Sequence, residues 1–180
     1  MEFDYLKHLS GDFDKRRIVG DLMDAYGRDV WNFAFSLVCK PELADDMMQE
    51  AFMRAFRNLG TFRGESTVKS WLLSITRNAV YDHLRSAYIR KVMLVGFIAD
   101  RGVAPSAEAE AIRHWAANDV WAKVLALPVK LREVLVLTAH HQLSVEEIAG
   151  VLGVAEGTVK SRLHRARKRI SSQAEKGERP

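Results

Sequence analysis

Apolar side chains recur at three- and four-residue steps through much of this 180-residue chain, the spacing of one buried face of an α-helix. Ile18, Leu22, Ala25, Tyr26, Val30, Phe33 and Leu37 make the first stripe. Lys40-Pro41 ends it, and Pro41 suits the first turn of a second helix, where a missing N–H costs nothing. That helix carries Ala44, Met48, Ala51, Phe52, Ala55, Phe56 and Leu59 inward, with Gly60 expected just past its end to take a left-handed conformation. On its other face Asp46, Gln49, Glu50, Met53 and Arg57 line up at the same steps. After the polar turn Arg63-Gly64-Glu65-Ser66, a third helix is predicted from about Thr67 to Ala87, with Trp71, Leu72, Ile75, Val80 and Leu84 inward.

The pattern lapses over 92–118, where Gly, Pro, Ser and small residues follow the apolar run Val92–Ile98. Gly96–Ala107 reads as the core of a linker. Helix resumes near Ser106 and carries Ile112, Trp115, Val120, Val124 and Leu127, until Pro128 interrupts it. The sharpest local pattern comes last. Ser144-Val-Glu-Glu147 is a capping box, in which serine and glutamate each satisfy a first-turn amide of the other. Ala149, Gly153 and Val159 follow at the spacing of a helix-turn-helix: a small residue at the helix crossing, a tight turn, and a buried anchor. The helix from about Glu156 to Ile170 would then be the one that enters a DNA major groove.

Composition supports this outline and adds charge. Glycine (11) and proline (4) are sparse, which favours helices, and 48% of residues are apolar. No apolar run approaches the roughly 20 residues of a bilayer span, and the first residues lack the apolar core of a secretory signal. One cysteine, Cys39, excludes an internal disulfide, and a cysteine on an apolar helix is more often core than switch. The net charge of +4 is unevenly placed. Residues 41–53 hold Glu42, Asp45, Asp46 and Glu50 with no base, whereas Lys160, Arg162, Arg165, Arg167, Lys168 and Arg169 crowd 157–170 with no acid. A second basic stretch, 54–91, interleaves Phe62, Trp71 and Tyr81 with Arg63, Lys69, Arg77 and Arg85. Two basic segments and one acidic patch suggest two polyanion contacts and a separate partner surface. His140 and His141 read as a surface pair, and no metal, cofactor or small-molecule site is expected. An enzyme is disfavoured by the lack of any HExxH, P-loop or dinucleotide glycine motif.

Asp46-Met-Met-Gln49-Glu50-Ala-Phe52, then Phe62-Arg-Gly-Glu-Ser66 and Trp71-Leu-Leu, resemble region 2 of bacterial RNA polymerase sigma factors. Gly157-Thr-Val-Lys-Ser-Arg-Leu-His-Arg-Ala-Arg167 resembles the helix of the same family that recognises the promoter −35 element. Length and two-region layout are similar to the extracytoplasmic-function (ECF) subgroup. The resemblance implies an all-α chain of two small helical domains, a region 2 bundle and a region 4 helix-turn-helix, joined by a flexible linker. The expected bounds are 1–95 for region 2, 96–118 for the linker, 119–175 for region 4, and 176–180 for a tail.

The same resemblance assigns roles. Asp46, Gln49 and Glu50 would dock on the β′ clamp helices of core RNA polymerase, with region 4 on the β flap; an ordinary solvated helix face is the bland reading. Arg63, Lys69, Arg77, Asn78, Tyr81 and Arg85 would engage the −10 element, where melting requires aromatic and basic groups to hold unstacked bases. Asn78 suits either reading a flipped base or capping a following helix, and Trp71 suits the core better than a base contact. Lys160, Ser161, His164 and Arg165 would face the −35 major groove, while Arg162, Arg167 and Lys168 would hold phosphates. The chain would act in the bacterial cytoplasm without catalysis of its own, held inactive by an anti-sigma factor, often membrane-bound. The rival reading is a stand-alone helix-turn-helix regulator, for which the acidic stripe and aromatic-basic segment would have no task.

Overall fold

The computed structural model describes residues 14–94 and 119–177, and all regular structure there is helical. Three long helices come first: α1 (Lys15–Val38), α2 (Pro41–Asn58) and α3 (Val68–Leu94). Four follow: α4 (Asp119–Leu125), α5 (Val129–Ala139), α6 (Val145–Leu152) and α7 (Glu156–Gly177). The expected linker, 96–118, and the helix expected to resume near Ser106 lie outside the described residues as far as Asn118. No helix among the described residues is long and apolar enough to cross a membrane.

Local chemistry sets the ends. Asp14 caps α1, its carboxylate accepting from the Arg16 and Arg17 amides at 3.0 and 3.2 Å. At the other end Cys39 takes a left-handed conformation (φ 56°), its N–H donating to the Phe35 carbonyl. A non-glycine residue there costs about 1–2 kcal/mol, and the Arg132 guanidinium helps hold it by donating to Cys39 Sγ at 3.0 Å and to the Leu37 carbonyl. Gly60 does not play the part expected of it. Helix α2 runs into a 3₁₀ turn over Leu59–Thr61, and the left-handed glycines are Gly64 and Gly153. Asn78 lies in the middle of α3, so it caps nothing, because the helix continues for four more turns. Leu84, expected inward, is 40% exposed: α3 outruns the bundle it packs on.

One apolar cluster belongs to the first three helices alone, with Ile18, Leu22, Val30, Phe52, Leu59, Phe62 and Leu72 at its centre. Trp71 packs against this cluster beside Phe62, as a core residue would. The larger cluster is shared. Phe33, Leu37, Leu73 and Val80 from α1 and α3 pack with Val134, Leu137, Ile148 and Val151 from α5 and α6. Each such side chain, fully buried, contributes about 1.5–3 kcal/mol. The two helical units therefore close on one another over a common core, which the sequence, read as two domains on a linker, did not announce.

Candidate nucleic-acid interface

The C-terminal unit carries a helix-turn-helix. Ser144 Oγ accepts from the Glu147 N–H at 3.1 Å, and the Glu147 carboxylate accepts from the Ser144 N–H at 2.9 Å, closing the capping box. Gly153 (φ 63°) ends α6, and the Val154 N–H donates to the Ala149 carbonyl, which turns the chain into α7. Val159, Leu163 and Ala166 face the core, so the steps between them are set on the opposite side. There Lys160, Ser161, His164, Arg165, Arg167 and Lys168 are exposed, and Arg162 is half-buried. Arg165 donates to the Ser161 carbonyl and hydroxyl, and Lys160 lies 3.2 Å from Glu156. Both are exposed pairs within one helix, worth a few tenths of a kcal/mol and easily exchanged for a stronger acceptor.

On α2, Asp46 and Gln49 are exposed and Met53 is 54% exposed beside them. Glu50 is less free: it accepts from Arg54 Nε at 2.7 Å, and Arg54 also reaches Asp82 at 2.6 Å. Those two carboxylates, Glu50 first, push the Arg54 guanidinium above its ordinary pKa.

The six residues expected at the −10 element divide in two. Arg63, Asn78 and Arg85 are exposed. Lys69, Arg77 and Tyr81 are already engaged within the chain. Lys69 Nζ lies 3.1 Å from Asp29 of α1. Arg77 and Tyr81 turn into the seam between the units, where Glu133 of α5 accepts from Arg77 Nε at 3.2 Å and from the Tyr81 hydroxyl at 2.5 Å. The Arg77 guanidinium also lies over the Tyr81 ring, 4.6 Å from its centre. Burial, then the Glu133 carboxylate, push the Tyr81 phenol up to about 12.

Glu133 is 0% exposed and one of its oxygens has no hydrogen-bond partner. No sequence motif marked it, although Arg132-Glu133 inside the apolar run of α5 was a signal: adjacent charges on a short buried helix need partners from elsewhere. Glu147 also reaches across the seam, accepting from Ser70 at 3.1 Å and Thr67 at 3.3 Å. The histidine pair splits. His140 is exposed, but His141, expected at the surface, is 3% exposed because α5 ends against α1 and its ring packs edge-on to Phe33.

The sequence matches the Sigma-70 region 2 family over residues 22–88 and the Sigma-70, region 4 family over residues 117–170. It is 31% identical to the ECF RNA polymerase sigma factor SigW of Bacillus subtilis, covering 85% of this chain and 87% of that one. It is 35% identical to the ECF RNA polymerase sigma factor SigM of Mycobacterium tuberculosis, covering 91% and 79%. Among solved structures, it resembles the sigma factor RpoE of Bartonella quintana in complex with the anti-sigma factor NepR (TM-score 0.70, 27% identity, 89% of this chain and 98% of that chain). It also resembles CnrH in complex with the cytosolic domain of CnrY (TM-score 0.64, 28% identity, 89% of each). A capped helix-turn-helix with a basic outer face, following a three-helix bundle with an acidic strip, is thus accompanied by relatives of one kind along nearly the whole chain: it belongs to the ECF RNA polymerase sigma factors of the sigma-70 superfamily, which direct transcription and are not themselves enzymes.

Proposed function

We propose that this sigma factor docks on core RNA polymerase through Asp46, Gln49 and the rim of Glu50 on α2, and reads the −35 element through α7. The observation that carries the reading is the clean division of α7: Val159, Leu163 and Ala166 hold the helix in place, while Lys160, Ser161, His164 and Arg165 form one exposed face. A guanidinium on that face suits bidentate bonding to guanine, and Arg162, Arg167 and Lys168 suit the flanking phosphates. An exposed strip of acceptors with one apolar residue, Met53, suits docking against a basic helix pair; contact of region 4 with the β flap belongs to the same proposal.

At the −10 element, Arg63, Asn78 and Arg85 are open to DNA as they stand, and Arg77 and Tyr81 become so once the units part, while Lys69 keeps its pairing with Asp29 inside the first unit until a phosphate replaces it. The closed arrangement is accordingly the form that precedes promoter engagement. RpoE, to which the chain is similar across both units, was captured with an anti-sigma factor. That likeness supports an anti-sigma partner here too, with action in the cytoplasm and a membrane-bound partner as the tether. The test is reconstitution: the full chain with core polymerase, transcribing from the DNA upstream of its own gene, should give a discrete run-off product. Tight, sequence-specific duplex binding with no polymerase association and no transcript would replace this reading with a stand-alone regulator.

A further inference from the structure

At one end of the seam, Asp29 of α1 meets His140 and His141 at the end of α5, and one ligand atom from each lies within 4.8 Å of the other two. We propose that these three side chains bind a divalent transition-metal ion of the zinc type, and that the ion fastens the two units together.

The chemistry of the donors supports this choice of ligand. Two imidazoles and one carboxylate form a three-ligand set suited to zinc and its neighbours, with a fourth position left for water. Calcium and magnesium, which take oxygen ligands, are disfavoured. The second observation is His141 itself. It is 3% exposed, and neither ring nitrogen has a hydrogen-bond partner. Its Nδ1 lies 3.2 Å from Asp29 Oδ1, near enough for an ion pair but not aligned as a hydrogen bond. An imidazole buried in this way has only the Asp29 contact to set against its lost solvation, and a metal bond would supply more.

The surroundings are those of a held ligand set. His140 Nε2 sits 3.1 Å from the Asn32 side-chain amide, which fixes the ring through a group that is not itself a ligand. Trp121 packs edge-on against the same ring, 5.6 Å between centres. Lys69 Nζ, 3.1 Å from Asp29 Oδ2, leaves Oδ1 turned toward His141. Its positive charge opposes any cation, so binding would rest on the strength of the metal–nitrogen bonds.

Asp29 comes from the first unit and both histidines from the second. Ion binding and closure are therefore linked, and each must favour the other by the same factor. The site itself rests on geometry and not on the DNA-contact assignments; only its consequence for promoter access does.

The experiment is competitive titration of zinc alone into the chelator-stripped full chain with a chromophoric chelator. One equivalent should bind, and Asp29→Asn or His140→Ala should each weaken it by at least about tenfold. His140→Ala also gives up the contacts with Asn32 and Trp121, so it is compared with itself: its melting temperature should not rise when zinc is added, whereas that of the parent should. Glu133→Gln touches none of the three ligands, yet by loosening the seam it should also weaken zinc. Uptake that is absent, or unchanged in the Asp29→Asn/His140→Ala double variant, would overturn the proposal and leave an Asp29–His141 ion pair flanked by Lys69. Zinc bound at the site but indifferent to Glu133→Gln would overturn the link to closure.

Discussion

Replacing Glu133 by glutamine should open the chain to single-stranded DNA. Glu133 is wholly buried in the seam and accepts from both Arg77 and Tyr81. Glutamine keeps the shape and one acceptor for the Tyr81 hydroxyl but removes the charge facing Arg77. Hydrogen bonds to charged groups contribute about 1.5–3 kcal/mol. The Arg77 side chain is 21% exposed, so water recovers part of its loss, and about 2 kcal/mol is a fair measure of the change. That is about 30-fold in the balance of closed and open forms. Where the closed form predominates, apparent affinity scales with the open fraction. A fluorescent single-stranded oligonucleotide carrying the −10 sequence should therefore bind the free Glu133→Gln chain about 30-fold more tightly than the parent. Removing one negative charge strengthens DNA binding by itself, so Glu146→Gln, an exposed acid on α6, serves as the control. Small-angle scattering should show the larger particle in the first variant alone. Equal affinities for the two variants, with no change in size, would refute the occlusion argument and leave Glu133 as an acid that merely satisfies two neighbours.

Asp46→Arg should weaken binding to core polymerase by tenfold or more, read by gel filtration or anisotropy, while the melting temperature holds, since Asp46 is exposed. Arg165→Ala should cost about 1–3 kcal/mol at promoters with a −35 element; an equal loss at promoters lacking one would point to a folding defect. Glu147 is pushed up by burial, but its hydrogen bonds from Ser144, Ser70 and Thr67 outweigh this and set its carboxyl below the ordinary value. Its contribution is present above the ordinary carboxylate range and is lost as pH falls through the lowered one; Glu147→Gln should flatten that part of the acid limb in a melting-temperature profile. For Tyr81 the sign is opposite: its phenol is raised to about 12, so its share of the seam is intact below about 10 and lost between there and about 12. Alkaline titration by absorbance should find one of the four tyrosines ionising last, and Glu133→Gln should bring it down.

The sequence announced what depends on near neighbours. The capping box at Ser144, the left-handed Gly153 and the alternation of core and surface on α7 are all settled within a few residues, and the structure has each of them. Trp71, assigned to the core, packs there. The departures lie where a helix runs on or changes form at its end, and where the deciding partner is far away in the chain. Gly60 was given a left-handed conformation that a 3₁₀ turn makes unnecessary. Leu84 continues the apolar period but lies where α3 has outrun its neighbours, and Asn78 has no following helix to cap because α3 runs on past it. His141 looked exposed because nothing near it in sequence tells that Phe33 and Asp29 will close over it. Periodicity reports that a face is buried, not by what.

The composition of the seam also bears on whether it is built to open. An interface made only of Leu73, Val80, Val134 and their neighbours would close tightly and, once apart, would expose a large apolar face. Here the apolar contact is bordered by Arg77–Glu133, Tyr81–Glu133 and Glu147–Ser70, so each unit carries polar groups into the seam. Desolvation offsets part of the attraction in a buried ion pair, whereas removing one partner, or closing out of register, leaves the other charge unpaired and is penalised strongly. Closure is thereby specific without being deep. On opening, Glu133 returns to water, and Arg77 needs a new anion, which a DNA phosphate supplies. The acid that covers the proposed −10 surface thus stands in for the ligand that surface would take, and competition between the two, modulated by whatever fastens or pries apart the units, is the physical basis on which access to promoter DNA would turn.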